Sequence, residues 1–232
     1  MTEVNPRQNV TFASNGGWAH GYLKQPAGSS GPGLIVIQEW WGLDDHMADV
    51  VDRFAAEGFV ALAPDLYGGR VAHDVDSAGK MLEELPVEQA AKDLAGAVDF
   101  LLAEPSVTSS TLGVVGFCMG GGFVLQLAAQ QSDRIGAAVP FYGVGPAVPH
   151  QYRTVTAPIQ GHYGEQDAFY PVEQARTQEQ QIRDESRGSV EFFYYPAGHA
   201  FHNDKDQLGT YDEQYAKLAW ERAVAFLKAN VH

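Results

Sequence analysis

The stretch Gly113-Val114-Val115-Gly116-Phe117-Cys118-Met119-Gly120-Gly121-Gly122-Phe123 decides the fold of this chain. An apolar run from Leu112 to Phe117 stops abruptly at glycines, and an apolar helical pattern begins at once after them. The motif Gly116-x-Cys118-x-Gly120 has the shape of a nucleophile elbow, with cysteine in place of serine. A strand that turns into a helix within a few residues strains the central residue. Flanking β-carbons would collide there, which explains the glycines.

Cys118 is the single cysteine among the 232 residues. A free cysteine is more often a small buried core residue than a reactive one. A cysteine between glycines at a strand-to-helix turn is different, because the turn lifts its side chain above the sheet. The backbone N–H groups that follow, at the start of the helix, point at the same position and can stabilise an oxyanion or a thiolate. We therefore predict that Cys118 is a nucleophile.

Length, composition and charge limit the classes of protein that this chain can belong to. With 45% hydrophobic residues the chain can bury the core of one large domain. The formal charge of −14 argues against a nucleic acid partner, and the single cysteine fits a reducing compartment. The segment Met1-Thr2-Glu3-Val4-Asn5-Pro6 does not resemble a signal peptide, and no apolar run approaches the ~20 residues of a membrane helix. We expect a soluble cytoplasmic protein with no membrane partner, as a monomer or small homo-oligomer.

Short apolar runs alternate with helical patterns along the chain. Asn15-Gly16-Gly17 lies between two alternating runs and predicts a β-hairpin. The predicted buried strands cover residues 34–37, 59–63, 112–117, 135–142, 157–163 and 190–195. Apart from the helix after the elbow, the predicted helices cover about 44–57, 77–85, 87–103, 171–184 and 211–228. This order predicts an α/β fold in a single domain over 1–232, with a mostly parallel sheet, helices on both faces and an N-terminal antiparallel hairpin.

Several polar residues follow the predicted strands. In an open parallel sheet, ligands bind beyond the carboxyl ends of the strands. The residues at these ends are Glu39, Asp65, Cys118, Asp167 and His199. This set contains a nucleophile, a base and acids that can orient the base. The chain order Cys118, Asp167, His199 is the nucleophile, acid, histidine order of α/β-hydrolases.

Each of these assignments has an alternative. His202 is the rival of His199 as the base, Asp167 also fits a turn-forming residue, and Glu165 is the alternative acid. The tract His199-Ala200-Phe201-His202-Asn203-Asp204 could ligate a metal, but surface polarity explains it equally well. Neither HExxH nor CxxC occurs, and no GxGxxG or Walker pattern precedes a helix. We expect no metal and no cofactor.

Six motifs resemble the dienelactone hydrolase family of α/β-hydrolases, over nearly the whole chain. They are Gln38-Glu39-Trp40-Trp41-Gly42, Ala63-Pro64-Asp65-Leu66-Tyr67, Gly116-Phe117-Cys118-Met119-Gly120-Gly121, Tyr142-Gly143, Gly164-Glu165-Gln166-Asp167 and Gly198-His199-Ala200-Phe201. The cysteine elbow together with the preceding Gln-Glu pair is the most specific of them. Most α/β-hydrolases carry serine at the elbow and lack that glutamate.

The resemblance implies an α/β-hydrolase fold and a triad of Cys118, Asp167 and His199. It also implies that Glu39 lies beside the thiol, which bonds the glutamate at rest and moves to the histidine when substrate arrives. This arrangement agrees with electrostatics, because a carboxylate near a thiol disfavours the thiolate by like-charge repulsion. The nucleophile is thereby protected until it is needed.

The resemblance further implies an oxyanion hole from the backbone N–H groups of Met119 and Trp40. Where the best-known members hold the substrate carboxylate this sequence departs from them, and we expect Trp40 and Trp41 to line the entrance of the site instead. The best-known members bind a substrate carboxylate with an arginine shortly after the Gly-His-x-Phe box, and Asn203 stands at that position here. For a second cation, the segment before the long helix offers only Arg70 and Lys80. This sequence therefore keeps the catalytic residues that the resemblance implies, but not the residues with which the best-known members bind the substrate carboxylate.

Three functions remain open on the sequence. The first is a carboxymethylenebutenolidase-like cysteine hydrolase, which opens a small lactone or ester through an acyl-thioenzyme intermediate. The second is a general carboxylesterase or thioesterase with the same triad, which the missing cations favour. The third is a binding protein that keeps the fold without catalysis, and an intact triad argues against it.

Overall fold

The computed structural model describes residues 5–145 and 148–232. They form two compact units: one runs to Leu112 and includes His232, and the other is Gly113–Val231. Residues 1–4, which begin the segment expected not to be a signal peptide, lie outside the described residues. Among the described residues, no helix has both the length and the apolar character that crossing a membrane requires.

The first unit combines a small sheet with three helices. Its elements are β1 (Val10–Ser14), β2 (Gly17–Lys24), β3 (Gly33–Ile37), α1 (Asp45–Ala56), β4 (Val60–Pro64), α2 (Val75–Glu83) and α3 (Val87–Ala103). The strands are ordered β1-β2-β4-β3; the pairs β1/β2 and β2/β4 are antiparallel, and β3/β4 is parallel. The predicted hairpin is formed by β1 and β2. Asn15 and Gly16 at its turn have φ of 37° and 90°, as a tight hairpin turn requires.

The helices of the first unit form where the sequence supplies caps and apolar faces. The Asp44 carboxylate accepts a hydrogen bond from the Met47 N–H at 2.9 Å and so caps the first turn of α1. The buried face of α1 packs on β2 and β4, and α3 packs on β1, β3 and β4. Both β3 and β4 are buried along their whole length, which explains why their sequences are almost continuously apolar.

The second unit also alternates strands and helices. Its elements are β5 (Leu112–Phe117), which starts at the boundary, α4 (Met119–Gln130), β6 (Ile135–Phe141), β7 (Ile159–Gly164), α5 (Val172–Glu185), β8 (Val190–Tyr195) and α6 (Glu213–Asn230). The strands are ordered β5-β6-β7-β8, and the pairs β6/β7 and β7/β8 are parallel. Helix α4 packs on β6, α5 on β7 and β8, and α6 on β6 and β7.

This topology positions the polar residues that follow the strands. Because β6, β7 and β8 run in the same direction, their carboxyl ends meet at one edge of the second unit's sheet. Tyr142 follows β6, Asp167 follows β7 and His199 follows β8, while Cys118 follows β5 directly. Ligand sites in such sheets lie at this edge.

The predicted α/β class is confirmed, with parallel pairing in the second unit and the antiparallel hairpin in the first. The predicted inner face of the last helix is partly wrong. Its apolar pattern predicts Leu218 and Phe226 inward, but both are half-buried, whereas Ala216 and Val224 are buried. Small residues allow a helix to approach a sheet closely, so the alanine stripe of α6 decides the contact rather than its largest side chains. That residues 1–232 form one domain stays a prediction.

Candidate active site

The elbow residue Cys118 connects β5 directly to α4. Its backbone has φ of 55° and ψ of −121°, a conformation that residues other than glycine rarely adopt. The Cys118 N–H donates to the carbonyl of Phe141 at 3.1 Å, and the Cys118 carbonyl accepts from the N–H of Gly121 at 2.9 Å. The strained conformation is therefore held by hydrogen bonds on both sides, as expected for a positioned nucleophile.

Glycines surround the elbow because there is no room for β-carbons. A β-carbon on Gly116 would collide with the carbonyl of Gly120, and one on Gly121 would lie 2.8 Å from the carbonyl oxygen of Phe141. A β-carbon on Gly143, two residues after β6, would collide with the carbonyl of Cys118 itself. The elbow thus packs backbone against backbone, and the sequence signal from which we predicted it has a direct steric cause.

Met119 is the first residue of α4 and is buried. The first N–H groups of a helix have no acceptor within the helix, and the positive end of the helix dipole lies there. The N–H of Met119 directly follows the nucleophile, so its position suits the predicted role in an oxyanion hole.

The predicted acid and base are in contact. The Nδ1 atom of His199 lies 2.7 Å from Oδ2 of Asp167, and both side chains are almost fully buried. The other carboxylate oxygen, Oδ1, accepts hydrogen bonds from the N–H groups of Phe169 and Tyr170, each at 2.8 Å. Asp167 therefore contacts the imidazole with one oxygen and its own turn with the other, so these contacts fit both interpretations of the residue.

His199 also lies within hydrogen-bonding reach of the Cys118 sulfur. Burial alone would lower the pKa of the imidazole. The hydrogen bonds to Asp167 and Cys118 and the negative charge on these groups act in the opposite direction and raise the pKa of His199 to about 10. The Thr210 hydroxyl donates a hydrogen bond to the backbone carbonyl of His199 and so helps to hold the loop that follows β8 in place. The arrangement therefore favours the protonated imidazole.

Three aromatic rings surround the imidazole of His199. Their centroids lie 5.3 Å away for Tyr142, 4.9 Å for Phe169 and 5.6 Å for Tyr170. Burial, and the negative charges of Cys118 and Asp167, raise the pKa of Tyr170 to about 12, so its hydroxyl stays protonated at ordinary pH. The sequence analysis did not find Phe169 or Tyr170. The available signal was two consecutive aromatic residues in the loop that follows the acid, separated from it by Ala168.

The other histidines considered have different environments. The ring of His202 stacks between Phe117, at 5.2 Å, and Trp220, at 5.8 Å. His162 lies inside β7, where its Nδ1 is 2.9 Å from the Tyr195 hydroxyl. Burial, and to a lesser extent the positive charge of Arg222, lower the pKa of His162 to about 3. Of these histidines, His199 is the one that Asp167 binds.

The alternative acid and the predicted substrate residue of the second unit have other partners. Glu165 is partly exposed and lies 3.5 Å from an Nη atom of Arg176, so it pairs with a surface cation. Asn203 is buried, and its Oδ1 accepts from the N–H of Lys205 at 3.0 Å. Its amide therefore shapes the turn that follows the Gly-His-x-Phe box.

The remaining predicted site residues belong to the first unit and lie in the segments that follow β3 and β4. Glu39 is 1% exposed, and its carbonyl accepts a hydrogen bond from the N–H of Gly42 at 3.2 Å. Trp40 and Trp41 are buried and pack edge to face with centroids 5.2 Å apart. Arg70 is half-exposed, and its Nη1 lies 2.9 Å from Oε2 of Glu84. The roles predicted for these residues stay predictions.

No cluster of three or more histidine, cysteine or acidic side chains suited to a metal occurs within residues 5–145 and 148–232. The polar side chains that the structure brings together here are a thiol, an imidazole and a carboxylate in series, an arrangement that can support acyl transfer.

Comparison with known proteins identifies the family. The profile of the dienelactone hydrolase family matches residues 19–231. The chain is similar to the protein named Protein usf of Aquifex pyrophilus, with 34% identity over 227 residues that cover 95% of this chain and 97% of that protein. It is similar to a protein of Aquifex aeolicus (strain VF5) provisionally named a carboxymethylenebutenolidase, with 30% identity and the same coverage. A provisionally named dienelactone hydrolase of Klebsiella pneumoniae subsp. pneumoniae has a similar crystal structure, with a TM-score of 0.82, 30% identity and coverage of 94% of this chain and 96% of that one.

The extent of these matches agrees with the resemblance found in the motifs, which also runs over nearly the whole chain. The chain belongs to the dienelactone hydrolase family of α/β-hydrolases.

Proposed function

We propose that this protein is a cysteine hydrolase that opens a small lactone or ester through an acyl-thioenzyme intermediate. Membership of the dienelactone hydrolase family makes it a hydrolase of esters or lactones. The observation that carries the finer proposal is the series Cys118, His199, Asp167, in which a strained elbow cysteine lies against a buried imidazole held by a carboxylate at 2.7 Å.

In the first half of the proposed reaction, the Cys118 sulfur attacks the carbonyl carbon of the substrate, and the carbonyl oxygen becomes an oxyanion. The tetrahedral intermediate then collapses, the bond to the alcohol oxygen breaks, and His199 gives its proton to that oxygen. The acyl group remains on Cys118 as a thioester. The raised pKa of His199 supports this order, because the imidazole already carries the proton that the leaving oxygen needs.

In the second half, His199 takes a proton from a water molecule, and the resulting hydroxide attacks the thioester carbonyl. The carbon–sulfur bond breaks, the carboxylic acid leaves, and the sulfur returns to its place beside the imidazolium. In both halves we assign the oxyanion to the N–H groups of Met119 and Trp40. The position of Met119 at the start of α4 supports its part of this assignment.

We further propose that Glu39 tunes the thiol as the family resemblance implies. Its almost complete burial supports a role for its charge, because a buried carboxylate acts on neighbouring groups with little screening. The Glu39→Gln variant should then react faster with iodoacetamide at Cys118 in the absence of substrate, since like-charge repulsion of the thiolate is removed. An unchanged alkylation rate would remove Glu39 from the proposal.

A specific observation favours a neutral ester as the substrate, which is the second candidate function. The two cations that could bind a substrate carboxylate, Arg70 and Lys80, both pair with Glu84, at 2.9 Å and 3.9 Å. The segment that carries them, residues 70–85, also contains Asp74, Asp76, Glu83 and Glu84, so its acidic side chains outnumber these two cations. A carboxylesterase on uncharged esters therefore agrees better with these contacts than a carboxylated lactone does.

Turnover of a panel of neutral esters and carboxylated lactones, compared between wild type and Cys118→Ala, tests the proposal. We expect turnover of neutral esters and a loss of at least about 10³-fold in the variant. Acid quench during turnover should trap a mass increase equal to the acyl group, which can reside on only one cysteine. Wild-type rates in Cys118→Ala would overturn the mechanism. Turnover confined to carboxylated lactones would overturn the substrate preference alone.

The proposal includes the cytoplasm as the location, because a nucleophilic cysteine remains reduced there. We also propose that the protein is a monomer or small homo-oligomer without a nucleic acid or membrane partner. Size-exclusion chromatography with light scattering would measure the oligomeric state directly.

A further inference from the structure

We propose that Phe169 and Tyr170 form the subsite for the alcohol part of the substrate and that this subsite takes an uncharged aromatic group. The inference rests on the proposed function and deepens it by naming the substrate class: aryl or benzyl esters, or lactones fused to an aromatic ring. It goes beyond the family's chemistry because it assigns the leaving-group side of the site.

The backbone geometry of the subsite is set by the catalytic acid. Oδ1 of Asp167 accepts from the N–H groups of both Phe169 and Tyr170 at 2.8 Å, while Oδ2 holds His199. Two aromatic side chains therefore start from a turn that cannot move without disturbing the catalytic pair. A surface placed this rigidly beside reacting groups is suited to orient a ligand.

The two rings lie directly against the base. Their centroids are 4.9 Å and 5.6 Å from the imidazole of His199, at interplanar angles of 37° and 52°. In acylation, His199 delivers its proton to the leaving oxygen, so the group attached to that oxygen must lie beside the imidazole. The side chains that surround His199 therefore contact the alcohol part of the substrate and not its acyl part.

The exposure of Phe169 distinguishes it from a residue that only packs in the protein core. Tyr142, the third ring on His199, is fully buried, whereas Phe169 is 51% exposed. A large apolar side chain that is half exposed beside a buried catalytic histidine offers a free-energy gain to any apolar group that covers it. Aromatic groups gain most, because offset-stacked and edge-to-face ring pairs attract each other beyond the burial of apolar area.

The charges around the subsite favour an uncharged ligand. Burial is the main cause of the raised pKa of the Tyr170 hydroxyl, and the negative charges of Cys118 and Asp167 add to it, so these two groups contribute a negative potential at the hydroxyl. A carboxylate on the alcohol group would be repelled by the same charges. The protonated hydroxyl can still donate a hydrogen bond to a neutral oxygen.

The test compares esters that share an acetyl group and differ in the alcohol: phenyl acetate, 2,2,2-trifluoroethyl acetate and 4-carboxyphenyl acetate. All three form the same acetyl-enzyme, so differences in kcat/KM report acylation alone. We expect Phe169→Ala to lower kcat/KM for phenyl acetate about tenfold and for trifluoroethyl acetate less than about twofold. In wild type, 4-carboxyphenyl acetate should be a poorer substrate than phenyl acetate.

Two controls accompany the comparison. Phe169→Tyr keeps an aromatic ring and should retain the preference for phenyl acetate. Trp18→Ala removes another exposed aromatic side chain, from the hairpin, and should change neither rate. Equal losses for both esters in Phe169→Ala, or a preference for 4-carboxyphenyl acetate in wild type, would overturn the inference.

Failure of the proposed function gives a separate result. If no turnover depends on Cys118, the subsite is measured by protection: benzyl alcohol should slow the alkylation of Cys118 by iodoacetamide in wild type and not in Phe169→Ala. Equal protection of both proteins, or protection of neither, would reject the subsite without reference to catalysis.

Discussion

Oδ2 of Asp167 lies 2.7 Å from Nδ1 of His199, on a carboxylate whose other oxygen accepts two backbone N–H groups. The different partners of the two carboxylate oxygens predict the effect of Asp167→Asn. The amide oxygen can still accept from Phe169 and Tyr170, so the turn is kept, but an amide N–H then faces the imidazole and selects the wrong tautomer. We expect kcat/KM to fall roughly 10³–10⁴-fold.

Glu165→Gln is the matched control for this measurement, because Glu165 lies two residues away and pairs with Arg176. Its kcat/KM should remain within about twofold of wild type, since exposed ion pairs contribute little. A large loss in Glu165→Gln together with an active Asp167→Asn would exchange the roles of the two acids.

The pKa of His199 makes stability depend on pH in a defined direction. The folded protein holds the imidazole proton up to about pH 10, whereas the unfolded chain loses it near pH 6.5. The native state therefore binds more protons between these values, and the free energy of unfolding must fall as pH rises through this window. The contribution is fully present below about pH 6.5 and absent above about pH 10.

Urea denaturation at a series of pH values, for wild type and His199→Gln, measures this contribution. The difference in unfolding free energy between the two proteins should shrink as pH rises. In Cys118→Ser the charge that helps to raise the pKa of His199 is gone, so the decline should still begin near pH 6.5 but end at a lower pH. A difference that stays constant from pH 6 to pH 10 would contradict the assigned protonation state.

The backbone of Cys118 predicts an unusual response to glycine. With φ of 55° and ψ of −121°, a side chain at this position costs free energy that glycine avoids. We expect Cys118→Gly to be more stable than Cys118→Ala by about 1 kcal/mol in urea denaturation, although both lack the nucleophile. The reference pair is wild type and Ala225→Gly on the exposed side of α6, where glycine should instead destabilise by about 1 kcal/mol.

Gln178 on α5 holds the loop that follows β6. Its amide donates to the Gly145 carbonyl at 3.3 Å and to the Tyr152 hydroxyl at 3.1 Å, and it accepts from the Gly145 N–H at 3.2 Å. Gln178→Ala leaves these buried groups without their partner, so we expect a loss of about 2 kcal/mol in unfolding free energy. Gln180→Ala, on the same helix but exposed, should cost less than about 0.5 kcal/mol.

Much of the fold follows from the sequence, for reasons visible in particular elements. The helix predicted over 87–103 is found as α3 (Val87–Ala103), because Pro86 starts it and its apolar spacing is regular. The strand over 190–195 is likewise found as β8 (Val190–Tyr195). The elbow was also predictable, because β-carbons in place of its glycines would collide with the backbone. The contact between Asp167 and His199 was predictable from the chain order of nucleophile, acid and histidine.

Other features carry no signal in a single sequence. Gln178 lies in a polar helix and looks like a solvent-facing residue, and only the loop folded onto it gives its amide a role. In the sequence, Phe169 resembles an apolar core residue within a loop, and only the structure places its ring beside the imidazole of His199. Both depend on contacts between segments that are distant in the chain, which local patterns of hydrophobicity do not encode.

The turn at Asp167 has a consequence for how this site can change over evolutionary time. The carboxylate accepts hydrogen bonds from the backbone N–H groups of residues 169 and 170, which every amino acid except proline supplies. The two side chains can therefore be exchanged while the scaffold that aligns the proton shuttle stays in place. A lineage can explore new alcohol groups by ordinary point mutations at these positions without rebuilding its catalytic chemistry, and a laboratory library confined to these two codons would follow the same path.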